Sequence, residues 1–418
     1  MQPAGRIDPQ DWMTAPDTRA VVAALTADGQ EVRFVGGCVR DALIERPVGD
    51  IDIATPDAPE TVMALLRRAG LKAVPTGIEH GTVTAVSGHR PFEITTLRED
   101  VETYGRHARV AFTDDWAADA ARRDFTMNAM FCAPDGTIYD PFGGWADLLA
   151  GHVRFVGDAE ARVREDYLRL LRFFRFYARY GQGPPDAAAL QAAQRHAGKL
   201  TTLAAERICH ELLKFLEAAN PGPAARVIRD YGILQPVLPE ARYAERLSWL
   251  AAIEREQGVA IDPLRRMAAW LDLREAHRLG ERLRLSKKAE RYLRTLAAPT
   301  ASVRVDRATA TLRRPLHRLG RELTRDLYLL DAAERAAAGG RLNTKALAAG
   351  LAEIEAWQPK RLPVDGRDVT ALGVAPGPRI KELLEALEEW WVDQDFQPGR
   401  EACLAELKRR VAALPGDG

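Results

Sequence analysis

Long apolar runs are missing from this chain of 418 residues. Nothing in it reads as a bilayer span, and 46% hydrophobic with 28% charged residues is the composition of a soluble folded protein. Asp8, Asp11 and Asp17 interrupt the stretch behind Met1 where a secretory signal would carry its apolar segment, so the cytoplasm is the expected location. Cysteine is scarce: Cys38, Cys132, Cys209 and Cys403 are scattered without a CxxC spacing, which argues against a zinc or redox pair and for reduced thiols. Net charge is absent as well, with 59 Lys+Arg against 59 Asp+Glu, so a surface for a polyanion has to be local. No fixed-period repeat or low-complexity tract occurs.

What is present divides the chain. Its length exceeds one usual hydrophobic core, so several domains are expected. Residues 30 to about 150 alternate short strand-like segments with turns. Beyond about 150 the sequence is rich in Ala, Leu, Arg and Glu at helical spacing, punctuated at Gly181 to Pro185, Asn220 to Pro223, Pro299 to Ser302 and Gly339-Gly340. In the first part, Val32 to Val35 reads as a strand entering the Gly36-Gly37 turn and a helix over Val39 to Glu45. A second strand covers Ile51 to Ala54, a helix runs from about Pro59 to Gly70, and Thr82 to Ser87 with Phe92 to Leu97 form a hairpin around Gly88-His89.

Asp50 and Asp52 flank Ile51, and the two-residue period of a strand puts both carboxylates on one face while Ile51 and Ile53 turn to the core. Two carboxylates in a cleft repel each other unless a cation neutralises them, and hard oxygen ligands suit Mg²⁺. Glu93, with Phe92 and Ile94 facing the other way, is the candidate third ligand or base. Alone, an Asp-x-Asp strand is more often a solvated face and a Gly-Gly turn a tight connection. Together they differ: Gly36-Gly37 lets backbone approach a phosphate, the next helix offers free N–H groups, and Arg40 supplies a fork of donors.

Gly36-Gly37-Cys38-Val39-Arg40-Asp41, followed by Asp50-Ile51-Asp52-Ile53-Ala54-Thr55, resembles the first motif of the class II tRNA CCA-adding enzyme and poly(A) polymerase superfamily, most like the bacterial CCA-adding enzymes. Gly49 departs from the basic residue often found there. Arg122-Arg123-Asp124-Phe125-Thr126-Met127-Asn128-Ala129-Met130 resembles the second motif, Asp140-Pro141-Phe142-Gly143-Gly144 the third, Glu165-Asp166-Tyr167-Leu168-Arg169-Leu170-Leu171-Arg172 the fourth, and Glu206-Arg207-Ile208 with Glu211, Leu212 and Lys214 the fifth, a neck helix read as scaffold. Asp365-Gly366-Arg367-Asp368 and Gly373 to Pro378 resemble the tail of the long enzymes.

The resemblance implies an α+β nucleotidyltransferase head over residues 28–148, with a polymerase-beta-like mixed sheet, then an all-α region: a neck over 149–260 and a tRNA-binding body and tail over 261–418. It implies two-metal transfer of C, C and A from CTP and ATP to the 3′ end of tRNA. In that scheme Asp50 and Asp52 hold Mg²⁺, and Gly36, Gly37 and Arg40 cradle the triphosphate. Arg123 and Asp124 meet phosphate and ribose, while Asp166, Arg169 and Arg172 face the base and phosphates. Asp166, Arg169 and Arg172 fall on one helix face, opposite an apolar stripe of Tyr167, Leu170, Leu171, Phe174 and Tyr177. Arginines gathered at Arg265, Arg266, Arg278, Arg282, Arg284, Arg291 and Arg294, and from Arg304 to Arg321, fit phosphate contacts. Poly(A) polymerases and partial CC- or A-adding enzymes share these motifs, and a silent RNA-binding protein on the same scaffold is the reading from another class. No histidine precedes an aspartate, so no HD phosphohydrolase segment is expected. The stretch from Arg98 to Asp119, with Tyr104-Gly105-Arg106-His107, lacks the Arg-Gly-His-His segment associated with poly(A) polymerases.

Overall fold

The computed structural model describes residues 1–104 and 107–413, without the side chains of residues 100–104, 107–110, 275 and 277; Gly105 and Arg106 of the Tyr104-Gly105-Arg106-His107 stretch therefore lie outside the described residues. Two compact units make up the chain, Met1–Arg242 and Tyr243–Gly418.

The first unit is built on an eight-stranded sheet of order β1-β10-β9-β2-β3-β6-β5-β4. Its strands are β1 (Gly5–Arg6), β2 (Arg33–Val35), β3 (Ile51–Thr55), β4 (Lys72–Gly77), β5 (Thr82–Ser87), β6 (Arg90–Thr96), β9 (Phe131–Cys132) and β10 (Thr137–Tyr139), while β7 (Arg98–Tyr104) and β8 (His107–Phe112) pair as a separate ribbon. Helices α1 (Asp11–Thr14), α2 (Pro16–Thr26), α3 (Gly37–Leu43), α4 (Pro59–Arg68) and α5 (Trp116–Ala121) are interleaved with them. β3 and β6 run parallel, with Ile51 opposite Phe92, Asp52 opposite Glu93 and Ile53 opposite Ile94. The four apolar partners are at most 1% exposed, and α2 and α4 pack on this part of the sheet. With the apolar face covered, the strand period turns Asp52 and Glu93 together to the opposite, open face.

The sequence reading opens the head at residue 28, but β1 pairs with β10 and α2 packs on α4 and β5. Strands of two or three residues carry too little alternation to be read, which also hides β9 and β10. The hairpin turn is Gly88-His89, both at positive φ of 55° and 65°, with Ser87 opposite Arg90. That left-handed pair matches the twist of its strands, so β6 starts at Arg90 and not at Phe92.

From residue 144 on, every described element is helical. α6 (Gly144–Leu149), α7 (Ala159–Glu165), α8 (Leu168–Tyr180), α9 (Ala187–His196), α10 (Ala205–Leu216) and α11 (Gly222–Asp230) complete the first unit. α8 buries Leu170, Leu171 and Phe174 as the spacing suggests, and also Leu168, Phe173, Phe176 and Tyr180, while Tyr167 and Tyr177 stay half-exposed. The apolar sector is wider than one stripe because α10 packs on one side and Phe125 and Phe155 stack on Phe176 and Phe173 from another.

The second unit contains α12 (Ala244–Glu256), α13 (Pro263–Trp270), α14 (Ala276–Arg282), α15 (Lys287–Ala297), α16 (Arg313–Ala337), α17 (Thr344–Ala356), α18 (Gly366–Ala371), α19 (Pro378–Asp393) and α20 (Arg400–Ala412). No helix among the described residues is long and apolar enough to cross a membrane. Here the arginine clusters correct the sequence reading. Arg265 and Arg266 are each 1% exposed and cannot meet a phosphate. Arg265 donates to Glu254 and Asp326 at 2.8 Å each, and Arg266 takes the other Glu254 oxygen at 2.7 Å. Arg313 is paired with Glu353 and Asp395, Arg314 with Glu389 and Asp393, and Arg318 with Glu389. Helical spacing shows that arginines share a face. It does not show that an acidic helix far along the chain covers that face.

Arg265→Ala should destabilise this unit by about 3–5 kcal/mol, because truncating one partner leaves Asp326 and Glu254 buried with unbalanced charge. The change is read as a shift of the urea midpoint, and a variant within about 1 kcal/mol of the parent would show that water reaches the cluster.

Candidate active site

Gly36 joins the two halves of the site. It holds φ +72° and ψ −125°, a conformation closed to side chains. A Cβ placed there would lie 3.8 Å from both Arg123 Nη1 and Asp52 Oδ2. The turn therefore brings β3 and the Arg122-Arg123-Asp124 segment to one point. Burial pushes the Asp52 carboxyl up to about 6, Glu93 and then Asp50 add like-charge repulsion, and Arg123 offsets part of it. Three neighbouring carboxylates with one nearby cation leave an excess of negative charge that a divalent ion would neutralise. Among the described residues no three such side chains close into a cage.

On the other side of Gly36 lies a cavity of about 470 Å³ lined by Gly36, Gly37, Arg40, Arg122, Arg123, Asp124, Asn128, Asp166, Arg169, Arg172 and Arg207, with Leu168 and Phe176. Six arginines and two aspartates line it, and its size is that of a small-molecule pocket. All eight residues expected to bind nucleotide line it; Asp50, Asp52 and Glu93 do not.

The individual contacts refine the expected roles. Arg40 is 8% exposed; it donates to both Asp41 oxygens at 3.0 and 2.9 Å and to Asn128 Oδ1 at 2.7 Å. Asn128 in turn donates to Asp124 at 3.1 Å. Arg172 does not point freely at a ligand: it is ion-paired with Asp124 through Nη2 and Nε, the latter at 2.8 Å. Burial pushes the Asp124 carboxyl up, but Arg172, Asn128 and the Phe125 N–H outweigh it and hold it at about 2. It is thus a fixed anion, with both oxygens occupied by protein donors.

Asp166 and Arg169 are also placed differently. Glu165 ends α7, Asp166 is extended at φ −151°, and α8 begins at Leu168, so the pair does not share the face of one helix. Asp166 caps the second helix instead: its Oδ1 accepts the Leu168 N–H at 3.0 Å and its carbonyl accepts the Arg169 N–H at 2.9 Å. Cap and first-turn residue still reach the same cavity.

Solved structures share this arrangement of chain. The crystal structure of the Bacillus stearothermophilus CCA-adding enzyme in complex with CTP superposes with a TM-score of 0.78 at 28% identity, covering 95% of this chain and 97% of that one. The Poly A polymerase head domain family matches residues 32–154, and the probable RNA- and SrmB-binding site of polymerase A matches 185–245. The CCA-adding enzyme of Geobacillus stearothermophilus is 34% identical over 405 residues, 93% of this chain and 96% of that one. The mitochondrial CCA tRNA nucleotidyltransferase 1 of Mus musculus is 33% identical over 396 residues, 94% of this chain and 89% of that one. The chain belongs to the CCA tRNA nucleotidyltransferase family. Nucleotidyltransferases of this family generally use divalent metal ions, in keeping with the carboxylates around Asp52.

Within this nucleotidyltransferase, sequence reasoning gave no role to several residues that hold the site. Asp119 is 1% exposed; it takes Arg122 at 2.9 Å and Arg123 at 2.7 Å, aiming both guanidiniums. Its position three and four residues ahead of them was the available signal. Glu165 ion-pairs with Arg169, and Arg207 with Asp166. The second of these joins residues too far apart in sequence for any local pattern to show.

Proposed function

We propose that this nucleotidyltransferase adds C, C and A to the 3′ end of tRNA from CTP and ATP, choosing bases with protein side chains. The supporting observation is the single cavity in which the phosphate-side arginines, Asp124 and the Asp166–Arg169 pair meet, joined at Gly36 to the carboxylates of β3. Residues up to about 148 act as catalytic head, 149–260 as neck carrying the base-reading residues, and 261–418 as tRNA-binding body and tail.

Asp50 and Asp52 would hold Mg²⁺, which when bound acidifies the RNA 3′-hydroxyl and neutralises charge on the α-phosphate as pyrophosphate leaves. The protein's own groups do the rest. The Gly36-Gly37 backbone and the Asp119-aimed pair Arg122 and Arg123 meet the triphosphate. Asp124, locked by Arg172 and Asn128, would lie against the ribose. Glu93, opposite Asp52, would serve as a third ligand or take the hydroxyl proton.

The test is to incubate tRNA lacking its terminal CCA with Mg²⁺ and CTP or ATP, singly and together, and to sequence the ends. CCA is the expected product. A long A tract, CC or A alone would assign another member of the superfamily, and no incorporation would leave a silent RNA-binding scaffold.

A further inference from the structure

Arg207 lies on α10, and no step above uses it. Its Nη2 donates to Asp166 Oδ2 at 2.7 Å, in an ion pair whose side chains are 25% and 21% exposed. It also reaches the cavity wall. The other carboxylate oxygen accepts the Leu168 N–H at 3.0 Å. Two donors from different elements therefore fix the plane of this carboxylate, and each oxygen keeps one acceptor direction. Arg169 is held in the complementary way, its Nη1 donating to Glu165 and to the Arg162 carbonyl, which leaves Nη2 and Nε.

We propose that Arg207 is a specificity-positioning residue: it pins Asp166 so that an acceptor is always presented where the exocyclic group of the incoming base arrives. This rests on the reading of Asp166 as the base acceptor. Held only by the Leu168 N–H, the carboxylate rotates and can turn its oxygens away from a carbonyl, so uracil and guanine meet less repulsion. Held by Arg207 as well, it cannot yield. Lysine replaces the charge but not the planar fork that fixes orientation.

The test measures kcat and KM for CTP and ATP, and incorporation of UTP and GTP, on tRNA lacking CCA. It uses full-length Arg207→Met, Arg207→Lys, Asp166→Asn and the Asp166→Asn/Arg207→Met double variant, with inhibition by inorganic tripolyphosphate as the phosphate-site readout. Arg207→Met should narrow discrimination against UTP and GTP about tenfold or more, Arg207→Lys should restore part of it, and tripolyphosphate inhibition should not change. In the double variant discrimination should equal that of Asp166→Asn alone, because Arg207 acts only through that carboxylate. If Arg207→Met keeps full discrimination while Asp166→Asn loses it, or if the two losses add, Arg207 is scaffold. If Asp166→Asn itself keeps full discrimination, the underlying reading of Asp166 fails. Should Arg207→Met not fold, Arg207→Lys with unchanged discrimination and unchanged KM overturns the proposal.

Discussion

Asp52→Asn abolishes nucleotide addition, with a fall in kcat on the order of a thousandfold or more, and leaves folding and tRNA binding in place. The two effects have separate causes. Asp52 shares an open sheet face with Glu93 and has Asp50 two residues away, so its charge is opposed by its neighbours in the apo protein. Replacing it with a neutral isostere relieves that repulsion, and the melting temperature should hold or rise slightly. The same charge is what a divalent ion would use, and an amide is a far weaker ligand for a hard cation. Single-turnover incorporation of CTP, thermal unfolding and tRNA binding together check the prediction. Substantial incorporation by Asp52→Asn would remove this residue from the metal site.

Asp166→Lys should lower the use of CTP and ATP together and relax the rejection of UTP and GTP by roughly a hundredfold or more. Cytosine and adenine each present an amino donor beside a ring-nitrogen acceptor, which matches an acceptor at Asp166 and a donor at Arg169. Uracil and guanine present a carbonyl beside a ring N–H, so both contacts become repulsive. A lysine reverses the first of them. It also meets Arg207, which donates to Asp166 at 2.7 Å in the parent, and it removes the cap on the Leu168 N–H, costing about 1 kcal/mol of helix stability. Competition between the four nucleotides on tRNA lacking CCA reads the outcome. Unchanged preference for CTP and ATP would mean that the bases are chosen elsewhere.

How far the sequence carries this site depends on the range of each interaction. Asp50, Asp52 and the glycine turn are legible because strand period and glycine conformation are local rules; β3 forms where those rules put it, and α3 starts two residues earlier than Val39, at Gly37. The register that sets Glu93 beside Asp52 follows from burying Phe92 and Ile94 with Ile51 and Ile53, a pattern visible once the two strands are known to be neighbours. Pairings between distant charges were not legible. Arg172 is bound to Asp124, and Arg265 and Arg266 are sealed in the core of the second unit, although both sets look like exposed donors on a helical wheel. An aspartate that caps a helix and one that lies on its face also have the same spacing to the next arginine, which is why spacing alone puts Asp166 on the face of the helix.

The parallel pairing of β3 with β6 has a further consequence, for the order in which the protein assembles. Neighbouring antiparallel strands can close by a short turn, whereas parallel ones have to wait for the whole crossover, here α4, β4 and β5, to be laid down and docked. Asp52 is synthesised early and stays solvated and separate until β6 has taken its place. A nascent or partly folded chain thus lacks Glu93 beside Asp52, and the three-carboxylate set arises only with the closed sheet.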